Sequence, residues 1–235
     1  MKLLAIDTST EACSVALWMD GQVLERFEIA PRRHTELVLP WAGELLAEAG
    51  IAKAQLDAIA VGRGPGAFTG VRLAVALVQG MALALDKPVV PVSTLAALAL
   101  PVASDGDCVL AAIDARMGEL YLGLYRRDPE RVLVVAGDEW MAPPSAPKLP
   151  TRERLIGVGS GFAAEERALA ISLGDQLARV DSQALPHAAD IARLAASAFA
   201  RGEAIAADLL EPAYLRNKVA LTLAEQEQAR RDRVR

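Results

Sequence analysis

Side chains that commonly bind zinc or act as catalytic nucleophiles are scarce, because the 235 residues include only two cysteines and two histidines. Cys13 and Cys108 lie in apolar runs typical of strands, which predicts buried thiols in a reducing compartment and no disulfide framework. The spacing of His34 and His187 suits no zinc site. Ser160, in GVGSGF, lacks the G-x-S-x-G pattern that presents a nucleophile. The sequence therefore shows no recognisable hydrolytic or zinc centre.

Positive charge and long apolar runs are also in short supply. The formal net charge of −5 argues against this chain alone holding a nucleic acid by its phosphates. The longest uncharged apolar run, Leu73 to Leu85, is shorter than the roughly 20 residues that span a bilayer. Asp7 interrupts the N-terminal apolar stretch too early for a signal peptide. We therefore expect a cytoplasmic protein without a membrane partner.

Aromatic residues make up 4% of the chain and hydrophobic residues 53%, which predicts a core of Ala, Leu and Val. A repeat organises this apolar content. The stretch LAIDTSTEACSVALW at 4–18 superposes without a gap on AAIDARMGELYLGLY at 111–125, with Ala-Ile-Asp in common and an aromatic residue closing each copy. Each copy predicts a strand, a polar turn and a second strand that leads to a third.

Helix and strand patterns alternate after each copy, so we predict an α/β fold of two duplicated βββαβα lobes, the second abridged. We place the first lobe, with partner-binding helices, at 1–104 and the smaller second lobe at 105–235. A helix predicted over 213–228 belongs to a helical tail that we expect to pack back on the first lobe.

The glycine-rich stretch GRGPGAFTG at 62–70 precedes a helix predicted from about Phe68 to Leu85. Its glycines, at 64, 66 and 70, match neither the G-x-G-x-x-G nor the P-loop phosphate motif. Pro65 and Gly66 suit the two central positions of a type II turn, and Thr69 suits a helix cap. This favours a structural turn made by Gly64, Pro65, Gly66, Thr69 and Gly70. Phosphate contact at the free helix terminus stays open.

That helix has almost no polar face, since Gln79 is its one uncharged polar side chain between Arg72 and Asp86. Ala76, Gly80 and Ala84 recur every four residues and would let another helix approach closely. The preceding helix, predicted from about Thr35 to Ala49, adds an apolar row at the same spacing. We predict an interface with a second protein chain, the alternative being a fully internal helix. The interface residues are Leu37, Trp41, Leu45, Val71, Val75, Ala76, Gly80 and Ala84.

Two aspartates that end strands, Asp7 and Asp114, are candidates for holding Mg²⁺ or a water beside a nucleotide phosphate. Together with Thr8 and Ser9 they form the candidate cofactor-binding set. Equally, each carboxylate could bond the backbone amides of its own turn. The residues alone leave these two alternatives open.

Four stretches together resemble the bacterial TsaB (YeaZ) family: LLAIDTST with CSVAL, AVGRGPGAFTGVRLAV, AAIDARMGELYLGLY and EPAYLR. The resemblance covers most of the chain and implies the actin-like ATPase fold, which belongs to the ribonuclease H-like class. It further implies a role in placing a threonylcarbamoyl group on the adenosine next to the anticodon of tRNAs that read codons beginning with A. In that system the paralogue TsaD performs the transfer, helped by TsaB and the ATPase TsaE.

TsaD holds its catalytic metal with a His-x-x-x-His pair, and the matching positions here are Thr94 and Leu98, which cannot replace it. The resemblance therefore implies a non-catalytic subunit that binds and stabilises TsaD through the two first-lobe helices, meets TsaE through that complex and tRNA indirectly, and also forms a homodimer. No catalytic residue, metal or cofactor is assigned, and weak binding of ATP or ADP with Mg²⁺ stays open. The alternative is an enzyme in its own right, an ATP hydrolase using Asp7 and Asp114 or a glycoprotease-like peptidase.

Overall fold

Two mixed β-sheets, one from each half of the chain, form the frame of the computed structural model, which describes residues 1–216. The first sheet has the order β3-β2-β1-β4-β5. Its strands are β1 (Lys2–Asp7), β2 (Ala12–Met19), β3 (Gln22–Ile29), β4 (Ala58–Gly62) and β5 (Val89–Val92). Strands β1, β4 and β5 run parallel, so their carboxyl ends meet at one edge.

The second sheet repeats this order as β8-β7-β6-β10-β11, with β9 paired to β7. Its strands are β6 (Cys108–Asp114), β7 (Leu120–Asp128), β8 (Val132–Val135), β9 (Trp140–Ala142), β10 (Leu155–Val158) and β11 (Leu177–Asp181). No helix separates β9 from β10, and one six-residue helix, α4 (Ala168–Leu173), lies before β11. The prediction of two βββαβα lobes, the second abridged, is confirmed. The division at residue 104 stays a prediction.

Four further helices pack on the sheets: α1 (His34–Glu48), α2 (Phe68–Leu85), α3 (Thr94–Ala99) and α5 (Ala188–Ala200). Helices α1 and α2 cover one face of the first sheet and α5 covers the other. Helix α3 packs on β6 and β7 of the second sheet and contacts α5. The central core thus lies between the sheets and is filled by α3 and α5, each resting on the sheet of the opposite half.

The gapless superposition of the two copies is wrong by one residue in the second strand. Trp18 pairs with Leu3, four residues before Asp7, whereas Tyr125 pairs with Val109, five residues before Asp114. The second hairpin turn is therefore one residue shorter than the first. Trp18 and Tyr125 both pack against the central core, and successive strand residues point to opposite faces. With one residue of difference in register, Asp7 therefore lies on the central-core face of its strand and Asp114 on the opposite face.

Helix α2 is longer than its uncharged run, Leu73 to Leu85, which is too short to span a bilayer. Over all 18 residues, Arg72 included, it is long and apolar enough to cross a membrane by length and composition, and less than a third of it is buried. A helix that packs one face on a sheet meets the same criterion, and α2 packs on β4, β1 and β5. Its apolar content therefore reflects one face packed on the sheet and one face left open.

Pro40 lies inside α1, which starts six residues earlier and continues through it. The start of the helix predicted over 213–228 is wrong. Residues 213–216 are not helical, and the rest of the predicted 213–228 helix lies outside the described residues, as do the arginines at 230–235. The segment from Ile205 to Arg216 instead starts with an isolated bridge between Ile205 and Val89 of β5 and then forms a short 3-10 turn at Ala207–Leu209.

Candidate functional site

The turn after β1 is closed around its own aspartate. Asp7 is fully buried, and its Oδ1 accepts hydrogen bonds from the Ser9 amide at 3.0 Å and the Ser9 hydroxyl at 2.8 Å. Its Oδ2 has no hydrogen-bond partner among the described residues and packs against Gly62. Burial raises the pKa of Asp7 to about 7, although the Ser9 hydrogen bonds act in the opposite direction. The carboxyl group therefore stabilises a local turn and faces no open space.

The first turn of α2 packs directly on this loop. The Thr8 hydroxyl donates to the Gly70 carbonyl oxygen at 2.7 Å, and the Ala67 amide donates to the Ser9 carbonyl oxygen at 2.7 Å. A Cβ atom on Gly70 would lie 1.9 Å from the Thr8 carbonyl oxygen, and one on Gly66 would lie 2.4 Å from that of Ser9. Both positions require glycine because backbone fills the space where a side chain would begin.

The detailed conformation of the glycine turn differs from the prediction. A type II turn needs positive φ at Gly66, but in this turn Gly64 has the positive φ, 98°. Thr69 does not cap α2, because the helix begins at Phe68 and its cap residue, Ala67, has no capping side chain. The Thr8 hydroxyl, bonded to Gly70 from across the turn, takes part in holding the helix start. Pro65 is buried beside these glycines.

Asp114 is also bonded within its own turn. Its Oδ1 accepts from the Arg116 amide at 2.8 Å and its Oδ2 pairs with the Arg116 guanidinium at 3.0 Å. Its amide donates to the Ser160 hydroxyl oxygen at 3.2 Å. Both aspartates thus accept a hydrogen bond from the amide two residues ahead, which is the second of the two alternatives that the sequence leaves open.

These residues do not fit the phosphates of a nucleotide. Ser9 and Thr8 direct their hydroxyls to Asp7 and Gly70, and the start of α2 occupies the space beside their backbone. Within residues 1–216, no hydrogen bond joins Asp7, Thr8 or Ser9 to Asp114. The chain's own atoms therefore satisfy most of the groups that a nucleotide or its metal would need.

The two positions that the resemblance assigns to the metal-binding histidines of TsaD are part of the core. Thr94 and Leu98 are buried on α3, and the Thr94 hydroxyl finds no hydrogen-bond partner within the described part of the chain. Residues 1–216 include no group of three His, Cys, Asp or Glu side chains placed to hold a metal ion. A leucine in place of the second histidine cannot supply a ligand.

The outward face of α2 is the most distinctive surface of the first lobe. Ala76, Gly80 and Ala84 are exposed, and Leu83 beside them is 69% exposed. Gly80 has nothing within 4 Å of where a Cβ would lie. Leu83 is absent from the predicted interface residues, although it follows Ala76 by seven residues and therefore lies on the same stripe. We call these four residues the α2 face.

Three of the eight predicted interface residues are wrong, because they are buried in the chain's own core. Leu45 of α1 and Val75 of α2 pack in the cluster between these helices and the first sheet, and Val71 of α2 is buried beside Gly64. Because these three side chains are buried, another protein could not reach them. Leu37 and Trp41 are partly buried against the same cluster, and Leu39, missed in the sequence, is exposed.

Comparison with known proteins gives a consistent family. A family model described as "TsaD: tRNA N6-adenosine threonylcarbamoyltransferase" matches residues 27–223. The tRNA threonylcarbamoyladenosine biosynthesis protein TsaB of Escherichia coli K12 is 40% identical over 94% of this chain and 96% of its own. The Haemophilus influenzae protein of that name is 38% identical over 93% and 95%.

A solved structure agrees with these relatives. The crystal structure of a Pseudomonas aeruginosa protein, described as uncharacterized and similar to peptidase YEAZ, is 45% identical and superposes with a TM-score of 0.84. The match covers 92% of this chain and 99% of that one. This similarity and the order of the two sheets confirm the predicted actin-like fold. Because relatives named TsaB match nearly the whole length of this chain, the chain belongs to the TsaB family.

Proposed function

We propose that this chain is a non-catalytic subunit in the biosynthesis of threonylcarbamoyladenosine in tRNA, and that it works by binding the transferase TsaD through the α2 face. The names of its relatives support the pathway, since they are tRNA threonylcarbamoyladenosine biosynthesis proteins. The observation that carries the mode of action is the α2 face itself, an exposed apolar stripe on an 18-residue helix.

The shape of the stripe favours a helix as its partner. Ala76, Gly80 and Ala84 present little more than backbone, which lets another helix approach closely. Leu83 projects beside them and would enter a groove on the partner, as a buried anchor does in a protein interface. Helix α1 lies on the same face of the first sheet and adds exposed Leu39 and the partly buried Leu37 and Trp41. An exposed patch of this kind on a small protein marks an interaction site more often than a free surface.

The side chains of α3 favour a non-catalytic role for this chain. A transferase of this fold needs ligands for its metal, and the two matching positions hold a buried threonine and a leucine. The candidate cofactor-binding side chains are hydrogen-bonded within their own turns or, for Thr8, to the start of α2. The proposal therefore gives catalysis to TsaD and gives this chain the task of stabilising it, with TsaE reached through the complex and tRNA met by the assembly in the cytoplasm.

The docking proposal is tested with Ala76→Asp and Gly80→Arg, mixed with purified TsaD and passed over a sizing column. Because both positions are exposed, the variants should keep the wild-type circular dichroism spectrum but lose co-elution with TsaD. Ile171→Asp, on exposed α4 of the other lobe, is the matched control and should co-elute normally. Normal co-elution of Ala76→Asp and Gly80→Arg would overturn the assignment of the interface.

The same face should pair with itself when TsaD is absent. A symmetric contact of two copies through α2 would bury the stripe against its own counterpart. Light scattering of the chain alone should then show a dimer at high concentration, and Ala76→Asp should be monomeric. Reconstitution of tRNA modification with TsaD and TsaE, with and without this chain, tests the proposed role in the pathway.

A further inference from the structure

A strip of arginine and aromatic side chains lies beside the start of α2, on the flank where the segment from Ile205 to Arg216 runs. The Gln79 side-chain amide donates to the Leu210 carbonyl oxygen at 3.0 Å, and the Ala213 amide donates to the Arg63 carbonyl oxygen at 2.8 Å. The segment ends on the second lobe, where Arg216 donates to the carbonyl oxygens of Ala115 at 3.1 Å and Arg116 at 3.2 Å. It therefore brings α2 and the Asp114 turn into one continuous surface.

Arg72 joins two aromatic rings within this strip. Its guanidinium carbon lies 3.2 Å from the centroid of the Phe68 ring and 5.2 Å from that of Tyr214. These distances allow cation–π attraction on both sides. Phe68 remains 62% exposed and Tyr214 56% exposed. Each ring thus keeps a large part of its surface open to a further planar group.

The neighbouring turn adds two strongly exposed side chains. The Arg116 side chain is 86% exposed and Met117 is 80% exposed. Arg216 holds this turn in place through an ion pair with Glu119 at 3.0 Å and through its hydrogen bonds to the two carbonyl oxygens. The cation and the apolar side chain at the tip of the turn therefore project from a fixed base.

The charge of the strip differs from that of the whole molecule, which carries a formal −5. Asp114 and Glu119 offset Arg116 and Arg216. Among residues 1–216, no carboxylate lies within ion-pair distance of Arg63 or Arg72. Within the described part of the chain, Arg72 thus places a positive charge without a paired carboxylate next to the exposed rings, and Arg63 adds a second one where the segment hydrogen-bonds to its carbonyl oxygen.

We propose that this arginine–aromatic strip, made by Arg63, Phe68, Arg72, Arg116, Met117 and Tyr214, binds single-stranded RNA. Exposed rings stack on unpaired bases and arginines contact the adjacent phosphates, which is the combination that single-stranded nucleic acids require. Paired RNA offers no free base faces to these rings, so the strip selects a loop over a duplex. The choice of RNA over other polyanions rests on the proposed function, which otherwise brings tRNA to the assembly only indirectly.

The test titrates the chain alone into a fluorescent RNA hairpin with an unpaired loop, with a blunt RNA duplex of equal length as the comparison. Wild type should bind the hairpin more tightly than the duplex. Tyr214→Ala and Phe68→Ala should each weaken hairpin binding by about tenfold, because each removes one stacking surface. Tyr214→Phe keeps the ring and should bind as wild type does. Ile171→Ala, exposed on α4, is the control for a general surface effect.

Salt dependence separates the charge from the rings. Arg63→Gln should lower the slope of log affinity against log salt by about 0.7, the value for one phosphate contact on a single strand. Tyr214→Ala should leave that slope unchanged while lowering the affinity.

Co-elution with TsaD is measured on the same variants, so failure of the two proposals can be told apart. Loss of hairpin binding with normal TsaD co-elution supports the strip as an RNA site. Variants that lose TsaD but keep the hairpin would assign the strip to a protein partner and overturn the proposal. Equal binding of hairpin and duplex, unchanged affinity in Tyr214→Ala and Phe68→Ala, or no hairpin binding by wild type would also overturn it. If wild type fails to bind TsaD, the docking proposal fails while the hairpin titration still stands.

Discussion

The contact between Gly70 and the β1–β2 loop makes Gly70→Ala an informative change. A Cβ atom at this position would lie 1.9 Å from the Thr8 carbonyl oxygen, whereas carbon and oxygen normally stay about 3.3 Å apart. Either the helix start or the loop must therefore move by more than 1 Å. That movement disturbs the bonds from the Thr8 hydroxyl to Gly70 and from the Ala67 amide to Ser9, both 2.7 Å long.

The energetic terms can be weighed against each other. Two weakened hydrogen bonds cost about 1 kcal/mol each, and overpacking costs about 1–3 kcal/mol. Alanine in a helix gains about 1 kcal/mol over glycine in return. We expect Gly70→Ala to lower the free energy of unfolding by about 2–4 kcal/mol, which corresponds to a fall in Tm of about 5–15 °C for a chain of this size.

Gly80→Ala is the matched control, because it makes the same exchange on the same helix where a Cβ meets nothing within 4 Å. It should raise the free energy of unfolding by about 0.5–1 kcal/mol. Urea unfolding followed by the fluorescence of Trp18, Trp41 and Trp140 gives both values. If Gly70→Ala were no less stable than Gly80→Ala, the close approach of the helix to the loop would be wrong.

Two more changes test the core. Because the pKa of Asp7 rises from 3.8 to about 7 in the folded chain, the folded state binds more protons than the unfolded state between these values. The contribution of Asp7 to the free energy of unfolding should therefore fall by about 4 kcal/mol in all between pH values below 3.8 and above 7, and most of this fall should lie between pH 4 and 7. Asp7→Asn should remove this contribution, so its urea titrations should decline less steeply with pH than those of the wild type; an unchanged slope would contradict the buried carboxyl. Leu45→Ala should cost about 2–5 kcal/mol because Leu45 is fully buried, whereas Leu39→Ala on the same helix should cost little. Equal midpoints in urea for these two variants would place Leu45 at the surface.

Local patterns in the sequence were sufficient for much of the fold. The Ala-Ile-Asp repeat and the alternation of apolar residues predicted the two copies of three strands. Helix α1 was predicted within one residue at each end, and α2 with its bounds at Phe68 and Leu85. These features depend on hydrophobic periodicity over short stretches, which neighbouring residues determine.

The remaining features depend on contacts that are distant in the sequence. Gly70 is constrained by Thr8, 62 residues away, so its role could not be read from the spacing of glycines in its own motif. Val75 and Ala76 are adjacent and both apolar, yet one faces the sheet and the other is exposed. In a helix that is apolar on every side, periodicity does not reveal which face the sheet covers. The same limit explains why Leu45 was assigned to the surface.

The exchange of α3 and α5 between the two halves has a consequence for how the chain can be divided. A fragment that ends before β6 would leave the inner side of its sheet bare, because α5, which lies in the second half of the chain, covers it. A fragment that begins at β6 would lack α3 in the same way. Although the topology is duplicated, each half needs a helix from the other half to cover its sheet. Unfolding should therefore proceed as one all-or-none event.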